Sequence, residues 1–413
     1  MASGAKGMVY VNAGLKCVHC GQSYPLDPMF HGCPACRDAG QVGVLRAQYD
    51  LPAIRAAWAA GCAAGVGMWR FRLALPLPAD AAPVSLGEGA TPLLQIPSQA
   101  VPDGRVYLKV EAVNPTGSFK DRLNSVAVSM ARYHGFRGIA CTSTGNHGVS
   151  LAAYAAAAGM RMIVLFPDDA VSLAVREVRH YGGLPITAPW DERGRWLRWL
   201  VDDAGWAMSG RNFPREFGNP YGMEGYKTIA YEIVHALGDR PPGTVFAPVG
   251  GGDGIYGLWR GFVDLHRAGI IASLPRLIGC QTAATASAYH AFIAGLETVE
   301  PVELRPSIAV SLIDRQSGDH ALWAVRESRG EMIAVTEPEI RRAVGALGRV
   351  GVCVEPAAAA AYAGIERRLR NIIPPTVCVL TGGGQRWPDT FAEDPGMPAS
   401  PRTLHELMAF VGA

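Results

Sequence analysis

Residues 105–167 read RVYLKVEAVNPTGSFKDRLNSVAVSMARYHGFRGIACTSTGNHGVSLAAYAAAAGMRMIVLFP. Three short apolar runs, RVYLKVEA, GIACTST and RMIVLFP, have the length and β-branched content of strands. Between them lie SVAVSMARYHG and VSLAAYAAAAG, longer and suited to helices. Strands alternating with helices at this interval are joined by crossovers, which build parallel sheets covered on both faces. The same alternation returns at GTVFAPVGGG (243–252), RLIGCQT (276–282) and PTVCVLTGGG (375–384). Two such blocks predict an α/β fold with two lobes, each a mostly parallel sheet covered by helices. The cleft between lobes is the usual place for a ligand.

The totals agree with that outline. At 413 residues the chain is long for one domain, and 49% hydrophobic against 18% charged residues allows a sizeable core. A net charge of +2 leaves no electrostatic footprint for nucleic acid or a membrane surface, so a small molecule is the expected partner. No apolar run reaches the ~18 uncharged residues that span a bilayer. The first sixteen residues lack the apolar core of a signal peptide, so a cytoplasmic location is expected. Only five basic residues are lysines (Lys6, Lys16, Lys109, Lys120, Lys227), and the rest are arginines. Lysine-dependent chemistry therefore has five candidates.

Residues 15–36, LKCVHCGQSYPLDPMFHGCPAC, hold two C-x2-C pairs separated by twelve residues. Each pair can make a tight knuckle with both thiolates on one side, so Cys17, Cys20, Cys33 and Cys36 read as an all-sulfur tetrahedral site for Zn2+. Four thiolates complete the shell without His19 or His31. A closed shell has no position for substrate, so the metal is expected to be structural. The other cysteines, Cys62, Cys141, Cys280, Cys353 and Cys378, stand singly in apolar surroundings and read as packing residues. Residues 50–83, rich in Pro and Ala, read as a connector.

Four segments end a strand and open a turn or helix, the edge at which open parallel sheets collect ligands. In NPTGSFKDR (114–122), Pro115 and Gly117 make a turn, Ser118 is placed to cap the following helix, and Lys120 falls in its first turn. The positive end of the helix favours the neutral amine there, as a nucleophilic lysine requires. A solvated surface lysine is the plainer alternative. TSTGNHG (142–148) offers backbone N–H groups and the Ser143 and Thr144 hydroxyls to a carboxylate, and Asn146 adds a donor; an ordinary turn uses the same residue types. PVGGGDG (248–254) lets backbone wrap a phosphate at a helix start, through Gly250, Gly251, Gly252 and Gly254. It is neither a Walker A loop nor a G-x-G-x-x-G fingerprint. Asp253 is awkward in such a cradle and is expected to point outward or cap the helix. LTGGG (380–384) puts the Thr381 hydroxyl at a strand end.

Together with VSLGEGATPLL (84–94), EGYKT (224–228) and EPAAAA (355–360), these segments resemble threonine synthases and the wider pyridoxal-phosphate (PLP) enzymes that include threonine and serine dehydratases. The resemblance covers almost the whole chain in the family's order, and the four-cysteine ribbon before L-G-E-G-x-T-P-L looks like the longer threonine synthases. It implies the two-lobed fold type II, like the tryptophan synthase β chain. A zinc ribbon would span residues 1–45, a large PLP-binding lobe 46–125 with 236–413, and a small mobile lobe 126–235. By resemblance Lys120 would hold the cofactor as a Schiff base and shuttle the α-proton. Gly250, Gly251, Gly252, Asp253 and Gly254 would hold its phosphate, Asn146 its 3′-oxygen, and Thr381 would face its ring nitrogen. Ser143, Thr144, Gly145 and His147 would line the substrate carboxylate. Family members are commonly dimers, so a homodimer is an expectation.

Several residues depart from the threonine-synthase pattern. His147 stands where a threonine is expected, Gly222 where an arginine is, and Phe217 where a serine is. The glycine loop has Gly251 and Gly254 in place of asparagines, and Arg386 replaces a lysine. One lost arginine–phosphate contact is worth about 1.5–3 kcal/mol. These losses argue against O-phosphohomoserine and for a small amino acid with another leaving group, by β-elimination or by β- or γ-replacement. Arg386 and His320 are the candidates for replacing the lost anion ligands. Lys227 is expected to be structural and Lys109 a satisfied edge lysine. A genuine threonine synthase and a threonine or serine ammonia-lyase remain the alternatives. A non-catalytic zinc-ribbon protein is disfavoured by the intact Lys120, and a Rossmann dehydrogenase by the missing acidic residue after GGGDG.

Overall fold

The computed structural model describes residues 12–39, 43–61, 66–96, 106–210, 218–368, 372–390 and 403–411. Cys62 and Phe217 lie outside the described residues. At the N-terminus, β1 (Asn12–Cys17), β2 (Ser23–Tyr24) and β3 (Leu45–Tyr49) form an antiparallel sheet in the order β2-β1-β3.

The remaining strands are β4 (Leu93–Gln95), β5 (Val106–Val110), β6 (Gly138–Thr142), β7 (Arg161–Phe166), β8 (Leu184–Thr187), β9 (Ala207–Met208), β10 (Thr244–Pro248), β11 (Arg276–Thr282), β12 (Glu331–Val335) and β13 (Thr376–Leu380). A six-stranded sheet runs β12-β11-β10-β13-β5-β4, parallel except for its edge strand β4. A four-stranded sheet, β8-β7-β6-β9, is parallel throughout. Thus the alternating pattern of the sequence does make two mostly parallel sheets. The central strands TVFAP and TVCVL are buried at every position, as strands covered on both faces must be. The helix Pro356–Arg368 carries alanines from 357 to 361, all fully buried in the core of the large sheet. Small side chains let that helix lie close to the strands.

Residues 50–83 are more regular than a connector. Asp50 accepts a hydrogen bond from Ala53 N and caps the helix Leu51–Ala59, and a 3-10 segment follows at Gly67–Ala74. The N-cap was concealed by the Pro/Ala composition.

Lys109 is not an edge lysine. It lies on β5, inside the sheet, 1% exposed, with Nζ 2.6 Å from Glu232 and 2.7 Å from the Thr91 carbonyl. Beside it the fully buried Arg122 donates to Glu111 at 2.7 and 2.8 Å and to both oxygens of Glu232 at 2.8 Å. Burial alone would raise the pKa of both carboxylates; the Arg122 charge more than offsets it and holds them below the usual range. Lys227 is structural, as expected, paired with Glu224 at 2.7 Å and Asp264 at 2.8 Å.

A carboxylate with a depressed folded pKa contributes stability above its unfolded value, about 4.3 for Glu, and loses it as pH falls below that. Glu232→Gln is expected to cost about 3–5 kcal/mol at pH 7, because it leaves two buried cations underpaired. The same variant should lose less stability than the parent between pH 5 and about 3. Urea titrations across that pH range check both expectations.

Candidate active site

The cleft between the two parallel sheets is lined by residues from the strand ends that the sequence marks out. Lys120 is the first residue of the helix Lys120–Tyr133. The turn before it is held by Asp121, whose carboxylate accepts from Thr116 N at 2.7 Å and from Thr116 Oγ1 at 2.5 Å. Ser118 does not cap this helix: Phe119 is the N-cap, and the Ser118 hydroxyl is buried with no hydrogen-bond partner. Its backbone is committed elsewhere, in a bridge to Gly382. Phe119 N donates to Thr381 O at 2.9 Å, and Gly383 N to Gly117 O at 2.9 Å. These bonds lace the lysine turn to the T-G-G-G turn, so Lys120 and Thr381 share one wall. Lys120 Nζ lies 3.3 Å from Tyr226 Oη and 4.7 Å from the centre of the Phe119 ring. Burial holds the Tyr226 phenol far above its ordinary pKa, so it stays protonated.

The turn after β6 opens the helix Asn146–Ala157. Ser143 Oγ accepts from Gly145 N at 3.0 Å and Gly148 N at 2.8 Å, so its hydroxyl shapes the turn. Gly145 lies behind the cleft wall, while Thr144, Asn146 and His147 line it with Ser143. Both ends of the Asn146 amide are engaged. Its Nδ2 donates to Glu355 at 2.8 Å, and its Oδ1 accepts from Arg386 at 3.3 Å. Burial, together with the Lys120 charge, pushes the His147 imidazole down to about 3, so it is neutral; Nε2 lies 3.3 Å from Ser209 Oγ.

Opposite, Gly250, Gly251, Gly252, Asp253 and Gly254 line the cleft where the helix Asp253–Arg267 begins. Gly252 has φ +105°, and a Cβ there would stand 3.0 Å from Ala321 Cβ and 3.1 Å from His320 Nε2. A Cβ on Gly254 would stand 2.7 Å from the Phe119 ring. Only bare backbone fits. Asp253 does not point outward: its side chain is 13% exposed, with Oδ1 2.9 Å from His320 Nε2. Thr381 is 5% exposed and lines the cleft.

Sequence reasoning gave roles to Lys120, Ser143, Thr144, Asn146, His147, the 250–254 loop and Thr381, all of which line the cleft, but none to Phe119. It missed Glu355, Ser311, Trp190, Arg193 and Asp314, which also line the cleft. Glu355 begins the E-P-A-A-A-A motif, and its carboxylate accepts from Asn146 and from Ser311 at 3.1 Å. Burial raises its pKa. Arg193 lies in WDERGRWLRWL, which has the look of an amphipathic surface helix and gives no hint of a cleft position. Arg386 donates to Glu177 at 2.6 and 2.9 Å as well as to Asn146, so it ties the two sides of the cleft together.

A family model described as pyridoxal-phosphate dependent enzyme matches residues 84–382. Threonine synthase from Methanosarcina acetivorans is 33% identical over 388 residues, covering 91% of this chain and 93% of that protein. Threonine synthase from Mycobacterium bovis is 36% identical over 342 residues, 78% of this chain and 89% of that one. Among solved structures, a threonine deaminase from T.th. superposes with a TM-score of 0.61 at 25% identity, covering 75% of this chain and 94% of its own. An L-serine ammonia-lyase from Rhizomucor miehei shares the fold, with a TM-score of 0.59 at 24% identity over 71% of this chain and 93% of its own.

Gly252→Ala places a methyl group against Ala321 and His320 at a left-handed φ, a strain of about 1–2 kcal/mol. Its dissociation constant for PLP, read by absorbance titration, is expected to rise about tenfold. The urea midpoint should move much less.

Proposed function

The chain belongs to the pyridoxal-phosphate-dependent enzymes, and we propose that it acts on a small amino acid other than O-phosphohomoserine, removing the α-proton and eliminating or replacing a side-chain group. The observation that carries this is the meeting, in one cleft, of an amine on a first helical turn with a bare-backbone cradle at the start of a second helix.

The residues present fit PLP. Its phosphate needs the close backbone approach that the glycine cradle allows, and Thr381 lines the same cleft. Gly250, Gly251, Gly252 and Gly254 would hold the phosphate, Asn146 the 3′-oxygen, Thr381 the ring nitrogen, and Lys120 the aldehyde carbon. When bound, PLP supplies an electron sink for charge that develops at Cα. Lys120 Nζ is then the base that takes the α-proton and returns it. Neutral His147 acts by hydrogen bonding. The backbone N–H groups of the 143–147 turn, at the start of a helix, orient the substrate α-carboxylate. Asn146, fixed at both ends by Glu355 and Arg386, keeps its direction during these steps.

The case against O-phosphohomoserine is steric as well as chemical. A Cβ on Gly222 would stand 2.9 Å from Leu123 Cγ and 3.1 Å from Leu123 O, so the expected arginine has no room. Neither candidate replacement is available in this arrangement. Arg386 is committed to Glu177 and Asn146, and His320 to Asp253. Threonine synthase is the second reading, favoured by relatives at 33 and 36% identity. The fold is equally that of threonine and serine ammonia-lyases.

Structural zinc in a cytoplasmic protein belongs to the same proposal. Cys17 Sγ lies 3.7 Å from Cys36 Sγ, and Cys20 Sγ 3.6 Å from Cys33 Sγ; all four sulfurs are within 4.8 Å of one another. Four sulfurs bound tetrahedrally to one zinc stand about 3.8 Å apart. Thiolate ligands also suit a reducing compartment.

Three measurements test these proposals. Lys120→Ala is expected to abolish turnover and the visible absorption of the bound cofactor, with the fold retained; an active, coloured variant would overturn the functional reading. Steady-state assays should show O-phosphohomoserine to be a poor substrate, and efficient threonine formation would establish the second reading instead. Metal analysis is expected to return one zinc per chain, and Cys20→Ser to release it and lower the melting temperature.

A further inference from the structure

Arg193 lacks a direct counter-ion inside the cleft among the described residues. It lies one turn into the helix Trp190–Asp202, is 2% exposed, and lines the cleft. One face of its guanidinium is covered by the Trp190 indole, with Cζ 4.0 Å from the ring centre. Its Nε is buried without a hydrogen-bond partner. Among the described residues the guanidinium makes no ion pair or hydrogen bond. Asp314 and Asp169 act on it only through space, and burial drags its pKa down to about 10.

The other deeply buried arginines differ. Arg122 is held by Glu111 and Glu232, and Arg260 lies 3.6 Å from Asp264. Burying a guanidinium without its counter-ion is costly, and folding alone gives no reason to do it here. A stacked, desolvated guanidinium with its donor edge unused is preorganised for an oxyanion, which it can bind through paired N–H donors.

We propose that Arg193 receives a second oxyanion on the substrate, so that the amino acid this enzyme uses carries a negative group on its side chain besides its α-carboxylate. This rests on the functional reading above and names its substrate class. The α-carboxylate is served by the 143–147 turn, whereas Arg193 comes from a different helix. The site is also distinct from position 222, where an arginine cannot fit. A side-chain carboxylate and a phosphate ester share the required chemistry. Asp314, on the same cleft, disfavours the higher charge of a phosphate dianion.

The test uses the PLP-loaded full chain and four probes: L-serine, L-threo-3-hydroxyaspartate, O-phospho-L-serine and O-phospho-L-homoserine. Binding is read from the cofactor absorbance and turnover from product formation. Wild type is expected to prefer hydroxyaspartate or O-phosphoserine over both serine and O-phosphohomoserine; a preference for O-phosphohomoserine would overturn the functional reading on which this rests. Arg193→Gln should lower kcat/KM for that probe by about 10- to 100-fold, mostly through KM. Its loss for serine should be at least tenfold smaller. Arg193→Lys should restore part of the preference, since a point charge replaces the planar fork. The hydroxyaspartate and phospho arms tell carboxylate from phosphate. If wild type handles serine as well as every oxyanion-bearing probe, the assignment of Arg193 fails while the functional reading stands. Equal losses for serine and the anionic probes in Arg193→Gln would also overturn it, by tying Arg193 to the α-carboxylate or to the fold. If no amino acid perturbs the cofactor spectrum or turns over, the functional reading itself fails. Should Arg193→Gln not fold, the wild-type preference and Arg193→Lys still decide.

Discussion

A buried ion cluster around Arg122 anchors the turn that carries Lys120. Arg122 stands two residues after Lys120, and its guanidinium joins Glu111, just past β5, to Glu232 in the helix Lys227–Ala236. Lys109 on β5 adds a second cation to Glu232. Removing one partner from a buried ion pair costs about 3–5 kcal/mol. The cluster therefore fixes the first turn of the Lys120 helix against both a strand and a second helix. The Lys120 amine inherits that fixed origin. Its freedom is confined to its own side chain, against the Phe119 and Tyr226 rings.

A second set of contacts turns this rigidity into a site. The lysine turn is laced to the T-G-G-G turn through backbone bonds, and Glu355 binds Gly382 O through its own N–H while its carboxylate takes the Asn146 amide. Arg386 closes the chain by reaching Glu177 and Asn146 together. Helix starts, strand ends and turns from opposite sides of the cleft are thus bonded to each other directly. In this arrangement Arg386 has a structural task, which explains why an arginine beside the cleft does not amount to an anion site. Arg193 is the opposite case, buried beside Trp190 with its Nε lacking a hydrogen-bond partner among the described residues.

Alternation of short apolar runs with helical stretches made the fold class legible along the chain, and residues with local backbone or side-chain chemistry marked the four turns that line the cleft. Gly252 can take its left-handed φ because it has no Cβ, and each C-x2-C pair forms a knuckle without help from distant parts. Local chemistry of that kind is written in spacing. What the sequence could not show is which charges meet after the chain has folded. Lys109 looked like an edge lysine and is buried, Asp253 looked outward-facing and turns to His320, and Ser118 looked like a cap and is none. Arg193 gave no sign at all, lying in a helix whose charges suggest a solvated face. Partners separated by a hundred or more residues, such as Arg122 with Glu232 or Asn146 with Glu355, are brought together only by the sheet order and the packing of the lobes. Burial and pairing are properties of that arrangement, and they decide whether a charged side chain is structural, catalytic or waiting for a ligand.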